Sequence, residues 1–229
     1  MIKAARKLIG WRTAHRLKRD ENAVAMVEFA FAAPLLGFMG LVGLELAYTA
    51  NMHMRVSQLT MQIADNASRM GDNEVLTAKR VREGDIYDLL VGAEIQAGGL
   101  DLFENGRVII SSLEQNEDGG QWIHWQRCMG KKNFASAYGP AGTGETGDSF
   151  PGMGMTGEKL MAPPDGAVMY VEVSLDYESL TKTQIVEDYV LPLVISSEAA
   201  FTVRSSRDLT GVFEQDGIDA ATCDKFEAL

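Results

Sequence analysis

The chain has 229 residues, 46% hydrophobic and 23% charged, and its 32 Asp and Glu against 21 Lys and Arg give a net charge of −11 with His neutral. An acidic balance argues against nucleic acid or an anionic membrane surface as a partner, because both are held by Lys and Arg. Every acid lies beyond Arg19, so the imbalance belongs to the body of the chain and reads there as a solvated surface.

Residues 1–22 form a basic leader: Lys3, Arg6, Lys7, Arg12, Arg16, Lys18 and Arg19 stand against only Asp20 and Glu21. Residues 23–48 follow as an apolar run whose only formal charges are Glu28 and Glu45. At about 1.5 Å rise per residue this run spans a hydrocarbon core of roughly 30 Å with some tilt, and predicts one transmembrane helix. The excess of cations before it keeps the amino terminus in the cytoplasm and sends residues 49–229 across, so that the bulk of the chain is extracytoplasmic. A cleaved secretory signal is the alternative, with Ala30, Ala32 and Ala33 offering small residues. Its apolar core is usually about 7–15 residues, shorter than this run. Pro34 falls about one turn into the bilayer, where it loosens a lone helix and is tolerated if neighbouring helices satisfy the freed carbonyl. Glu28 is the most informative residue, since a carboxylate costs several kcal/mol in lipid and is retained there for a function.

Basic residues, a small residue, then Val-Ala-Met-Val-Glu28-Phe29-Ala-Phe-Ala-Ala-Pro34-Leu-Leu and, further on, Gly43-Leu-Glu45-Leu-Ala-Tyr48 make up a joint pattern. In it the chain resembles the TadE/TadG-like pseudopilins of tight-adherence (Flp-type) pilus systems, closely over about residues 16–70. The resemblance implies a non-enzymatic subunit of pilus assembly and adhesion, partnered by other pilin-like subunits and inner-membrane assembly proteins. It also implies a prepilin peptidase that cuts so that the glutamate becomes the fifth mature residue, which places the bond between Ala23 and Val24. Ala23 stands where the family has glycine, so the chain is either cut there or kept as an uncleaved anchor. In a pilin-like subunit Glu28 pairs with the amino group freed by cleavage, on its own chain or a neighbour, and neutralises two charges in lipid. Otherwise Glu28 snorkels to the nearby interface. Phe29 and Pro34 belong to the same assembly segment.

Gly37, Gly40 and Gly43, three residues apart, allow close approach of a neighbouring helix or reflect ordinary membrane-helix composition. The helical period continues beyond the membrane. Val56, Leu59, Ile63, Ala67 and Met70 lie on one side and Arg55, Gln58, Gln62, Asn66 and Arg69 on the other, which predicts a single helix from near Val24 to Met70. Gly71-Asp72-Asn73 stops it, and Glu74 to Leu90 reads as a second helix with Val75, Ala78, Val81 and Ile86-Tyr87 toward a core.

From residue 91 the texture turns to short strands. Val108 to Leu113 is β-branched, and Gln121 to Cys128 alternates after Asn116-Glu-Asp-Gly-Gly120, predicting a hairpin. Ala167 to Tyr177 and Ala199 to Ser206 repeat the period of two. The expected fold is α+β: a long amino-terminal helix with a small antiparallel sheet of about four strands, one face polar and the other covered by helices. Cysteine counting pairs Cys128 with Cys223 in an oxidising compartment, a link worth roughly 4–5 kcal/mol in the chain-entropy model; two buried free thiols are the other option. Residues 130–164 form a long loop without periodicity, either a contact surface or a variable insertion, with Met153, Met155 and Met161 available to fold back onto the core.

Two enzyme-like strings carry no chemistry. Gly142-Thr-Gly-Glu-Thr-Gly147 matches a dinucleotide fingerprint but neither follows a strand nor opens a helix, and Ser179-Leu-Thr-Lys182 lacks its companion motifs. His15, His53 and His124 have no zinc spacing, and the acidic turns at 116–118 and 216–219 lack calcium-loop spacing, so neither a metal nor a cofactor is expected. The alternative to an assembly subunit is a periplasmic binding or enzymatic domain on a single-pass anchor, with its site in the long loop.

Overall fold

A computed structural model of the chain describes residues 21–71, 78–155, 157–180 and 194–228, with side chains from Val24 onward. In chain order the elements are helix α1 (Glu21–Arg69), strand β1 (Lys79–Arg82), helix α2 (Glu83–Ala97), a 3-10 turn (Gly98–Leu100) and the short helix α3 (Leu102–Asn105). Strands β2 (Gly106–Gln115), β3 (Gln121–Met129), β4 (Ala167–Asp176), β5 (Val194–Thr202) and β6 (Arg207–Phe213) follow. The chain divides into two compact units, one up to Tyr48 and one from Thr49. Most of the basic leader, residues 1–20, lies outside the described residues.

The described part of the first unit is α1 alone, a helix long and apolar enough to cross a membrane. It runs through Pro34 without a break, although proline leaves the carbonyl one turn back without its usual donor. From Thr49 the same helix belongs to the second unit and turns amphipathic. Val56, Leu59, Ile63 and Ala67 are buried, while Arg55, Gln58, Gln62, Asn66 and Arg69 are exposed, as their spacing predicts.

The expected second helix over 74–90 is corrected. Residues 74–77 lie outside the described set, Ala78 is exposed, and Lys79–Arg82 is a strand paired in parallel with β6. The helix starts at Glu83, where the N–H of Arg82 donates to Asp85 Oδ2 at 2.9 Å and two acids occupy the first turn, both of which favour an amino-terminal end. Ile86, Leu90, Ala93 and Ala97 then form its buried stripe, and Tyr87, expected inward, is 43% exposed.

The four-stranded antiparallel sheet has the order β3-β2-β4-β5, with β2 and β3 forming the expected hairpin. Its fourth strand starts at Val194, earlier than the Ala199 that alternation suggested. One face carries Val108, Ile110, Met169, Val171 and Val173, all buried. On that side Arg127 grips Glu83 of α2 with both Nε and Nη2, and Arg207 joins Met169 to the last carbonyls of α1.

The opposite face, expected to be polar and solvated, is covered as well. Leu113, Ile123, Val168 and Tyr170 on it pack with Met153 and Ala162 of the long loop, backed by Phe150 and Tyr138. This is why β2 is buried along nearly its whole length and does not alternate. The loop is an ordered cover. It leaves β3 at Gly130, whose φ of 130° suits glycine and where a Cβ would lie 2.2 Å from the carbonyl oxygen of Gly106. Asn116 Nδ2 then donates to the carbonyls of Gly144 and Gly147 at 2.8 and 2.7 Å, and Gln121 exchanges two bonds with Ala162. Of the three loop methionines only Met153 folds onto the core. Met155 and Met161 are 80% and 65% exposed, Met155 inside the turn that the backbone pairing of Met153 with Leu160 closes and Met161 just after it.

Candidate functional site

In α1 the residues singled out by sequence sit on open helix surface. Between Val24 and Leu46 twelve large apolar side chains are more than half exposed, Phe29 at 73% among them. An exposed apolar surface of that extent requires lipid or protein around it. Glu28 and Pro34 are exposed within it, and nothing lies within 4 Å of where a Cβ would stand on Gly37, Gly40 or Gly43. Ala23 and Val24 lie inside the helix, which already begins at Glu21, so the peptide bond between them is helical in this state. The site is therefore a surface on which the exposed Glu28 interrupts an apolar field, while Glu45, the other acid of the stretch, is buried.

In the second unit the loop-covered face concentrates polar groups that the sequence did not single out. Register places Glu172 of β4 directly opposite Glu198 of β5. Like charges facing each other weaken strand pairing by roughly 0.2–1 kcal/mol. The long loop supplies the compensating donors: Ser136 Oγ and the Ala137 N–H reach Glu172 at 2.6 and 2.8 Å, and Tyr138 reaches Glu198 at 2.6 Å. Tyr170 also donates to Glu198, and its ring meets that of Tyr138 edge-on at 5.1 Å.

Burial pushes the Glu172 carboxyl above its ordinary range; the Ser136 and Ala137 donors pull it back, and the Glu198 charge adds to the rise. Burial likewise raises both tyrosines, with Glu198 reinforcing it, so they remain neutral donors. A carboxyl raised in the fold binds its proton more tightly there than in the unfolded chain. Its stabilising contribution is therefore full below the unfolded pKa and is lost as pH rises through the folded one. Glu172→Gln is expected to be neutral or stabilising by up to about 1 kcal/mol at pH 7, because it removes one of two opposed charges and keeps an acceptor for Ala137. Urea unfolding at pH 7 and pH 5 checks this. The variant should also lose the wild-type gain on acidification, and a clear loss of stability at pH 7 would refute the account.

The remaining chemistry-bearing groups are accounted for structurally. His124 is the unpaired residue of a β-bulge, stacked on Trp122 at 4.3 Å with Nδ1 2.8 Å from Glu114 Oε2; Ser112 Oγ donates to the other oxygen of Glu114. The acid stands between serine and histidine, so the imidazole cannot take the hydroxyl proton as a nucleophilic site requires. The glycine string at 142–147 is wired to the hairpin through Gly142, whose N–H donates to Ile123. Asn116 Oδ1 and Asp118 Oδ2 accept N–H groups of Gly120 and Gly147. Ser179 is buried, and Lys182 lies outside the described residues. Among the described residues no group of three or more His, Cys, Asp or Glu could hold a metal ion.

Cys128 and Cys223 are joined in a disulfide with their Cα atoms 4.8 Å apart. Arg107, also missed by sequence, lies 2% exposed beside it, donates to the carbonyl of Cys223 at 2.6 Å and has its Cζ 4.2 Å from the centre of the Phe226 ring. Burial lowers its pKa. The only local hint was a cation opening a β-branched strand. Compared with protein-family models, curated proteins and solved structures, the chain finds no match.

Proposed function

We propose that the chain is a TadE/TadG-like pseudopilin, a non-enzymatic inner-membrane component of Flp-type pilus assembly. The observation that carries this reading is the continuous helix Glu21–Arg69, whose apolar stretch presents Glu28, Phe29 and the three open glycines on uncovered surface. Helices of this kind associate laterally through close packing and polar pairing, and the carboxylate supplies the pairing group. The basic leader orients the amino terminus to the cytoplasm, and the acidic second unit stands in the periplasm as a soluble head. The partners are other pilin-like subunits and the inner-membrane assembly machinery.

Two measurements on the native host test the proposal. Intact mass and amino-terminal sequence of the protein from membranes should give a chain starting at Val24, the product of prepilin processing. A retained leader would replace processing with a permanent anchor, and a start beyond Ala33 would overturn the anchor itself. Deleting the chain should abolish surface pili, and normal piliation without it would sink the assembly role.

A further inference from the structure

Residues 214–228 follow β6 and run along the outer edge of β3. The N–H of Cys128 donates to the carbonyl of Ala221 and that of Gly130 to the carbonyl of Glu227, both at 2.8 Å, with the disulfide between them. The other half of the same edge is closed by the long loop, where Ile123 exchanges bonds with Gly142 and Thr143. The two covers differ in kind. The loop inserts Met153 and Ala162 into the core, whereas no residue of 214–228 is buried. Its large apolar side chains near the sheet are the half-buried Ile218 and Phe226, 43% exposed, and a cavity of about 380 Å³ lies between the tail and Glu83, Tyr87 and Met129. The tail is thus a strap over a void, held by a few polar contacts and one covalent bond. Segments with so little apolar burial open at small free-energy cost once a covalent tie is gone.

We infer that the Cys128–Cys223 bond locks shut a strand-docking edge, and that the edge, once released, accepts residues 221–227 of a second copy of the chain. The edge offers two backbone N–H groups and the buried Arg107 guanidinium; the tail supplies the matching carbonyls and an aromatic ring. Exchange between copies re-makes these same contacts in trans, which makes the second copy the occupant that needs no new complementarity. Release is a thiol–disulfide exchange with a dithiol. Its thiolate attacks Cys223 Sγ, the less buried sulfur; the S–S bond breaks and Cys128 leaves as thiolate and takes a proton from water. The second thiol then displaces Cys223 as thiol, and the dithiol ends as a disulfide. This inference stands apart from the role of α1.

The test compares full-length protein in detergent, untreated and reduced with dithiothreitol, and a Cys128→Ser, Cys223→Ser double variant. Hydrogen exchange and sedimentation are read at two protein concentrations. At low concentration the amides of Cys128, Gly130 and residues 214–228 should exchange at least about tenfold faster after reduction, while β2 and β4 keep their protection. At high concentration the reduced protein should gain a dimer absent from the oxidised one and recover protection at that edge. A synthetic peptide of residues 217–228 with serine at 223 should dissolve that dimer. Unchanged tail protection, loss of protection through β2 and β4, or a dimer indifferent to the peptide would each overturn the inference.

Discussion

Replacing Arg207 by methionine is expected to destabilise the unit from Thr49 by about 3 kcal/mol, the sum of several carbonyls losing a charged donor. Helix α1 ends at Arg69, so its last carbonyls have no donor within the helix. Arg207 Nη2 supplies one, at 2.9 Å from the carbonyl of Met70 and 3.2 Å from that of Ala67, and Nη1 meets Met169 Sδ at 3.1 Å. A single guanidinium from β6 thus caps the helix, touches the sheet and opposes the negative end of the helix dipole. Burial lowers its pKa to about 10, with Glu114 and Asp85 acting the other way, so it stays protonated at neutral pH. Methionine keeps the volume but offers no donor. Near-ultraviolet circular dichroism of Trp122 and Trp125 should show Tm falling by about 6–12 °C. Arg207→Lys should recover less than half of the loss, since an ammonium lacks the planar fork. An unchanged Tm would mean that desolvation of the buried cation cancels its hydrogen bonds.

Which parts of this fold were legible depended on the range of the interactions that make them. Helix α1 shows itself through length and a 3.6 period, and the β2–β3 hairpin through β-branched residues either side of the turn at Asn116–Gly120. Both are local patterns. Strand β1 carries only Val81 as an inward residue, and its pairing partner β6 lies more than 120 residues away, so nothing nearby separates it from a helical start. The long loop has no period because its order comes from single contacts, such as Met153 on Leu113 and Ile123 and Asn116 on Gly144. Glu172 is visible as an acid inside an apolar alternation. That it faces Glu198 and holds Ser136 follows only from strand register, which single-residue patterns do not encode. Glu28 is the reverse case: the sequence alone marks it, as an acid inside an apolar run, and the surface around it is open in the structure.

Replacing Glu28 by alanine is expected to act in opposite directions on anchoring and on assembly. Removing an acid from a membrane helix makes insertion more favourable by up to about 3 kcal/mol if it lies deep and by less near the interface, so membrane fractions should hold at least as much of the variant. Surface piliation should nevertheless fall by about tenfold or more, which corresponds to losing a coupling of about 1.4 kcal/mol or greater between neighbours. The proposed pairing needs a charge, so Glu28→Gln should fail nearly as badly, while Glu28→Asp should keep part of the activity. Were Glu28 only snorkelling, all three variants would anchor and piliate alike. The exposed Phe31 nearby provides the control, because Phe31→Leu keeps the surface apolar and should leave both readouts unchanged. Loss of piliation together with loss of membrane retention would instead mark Glu28 as a folding determinant of the helix, and the pairing role would be refuted.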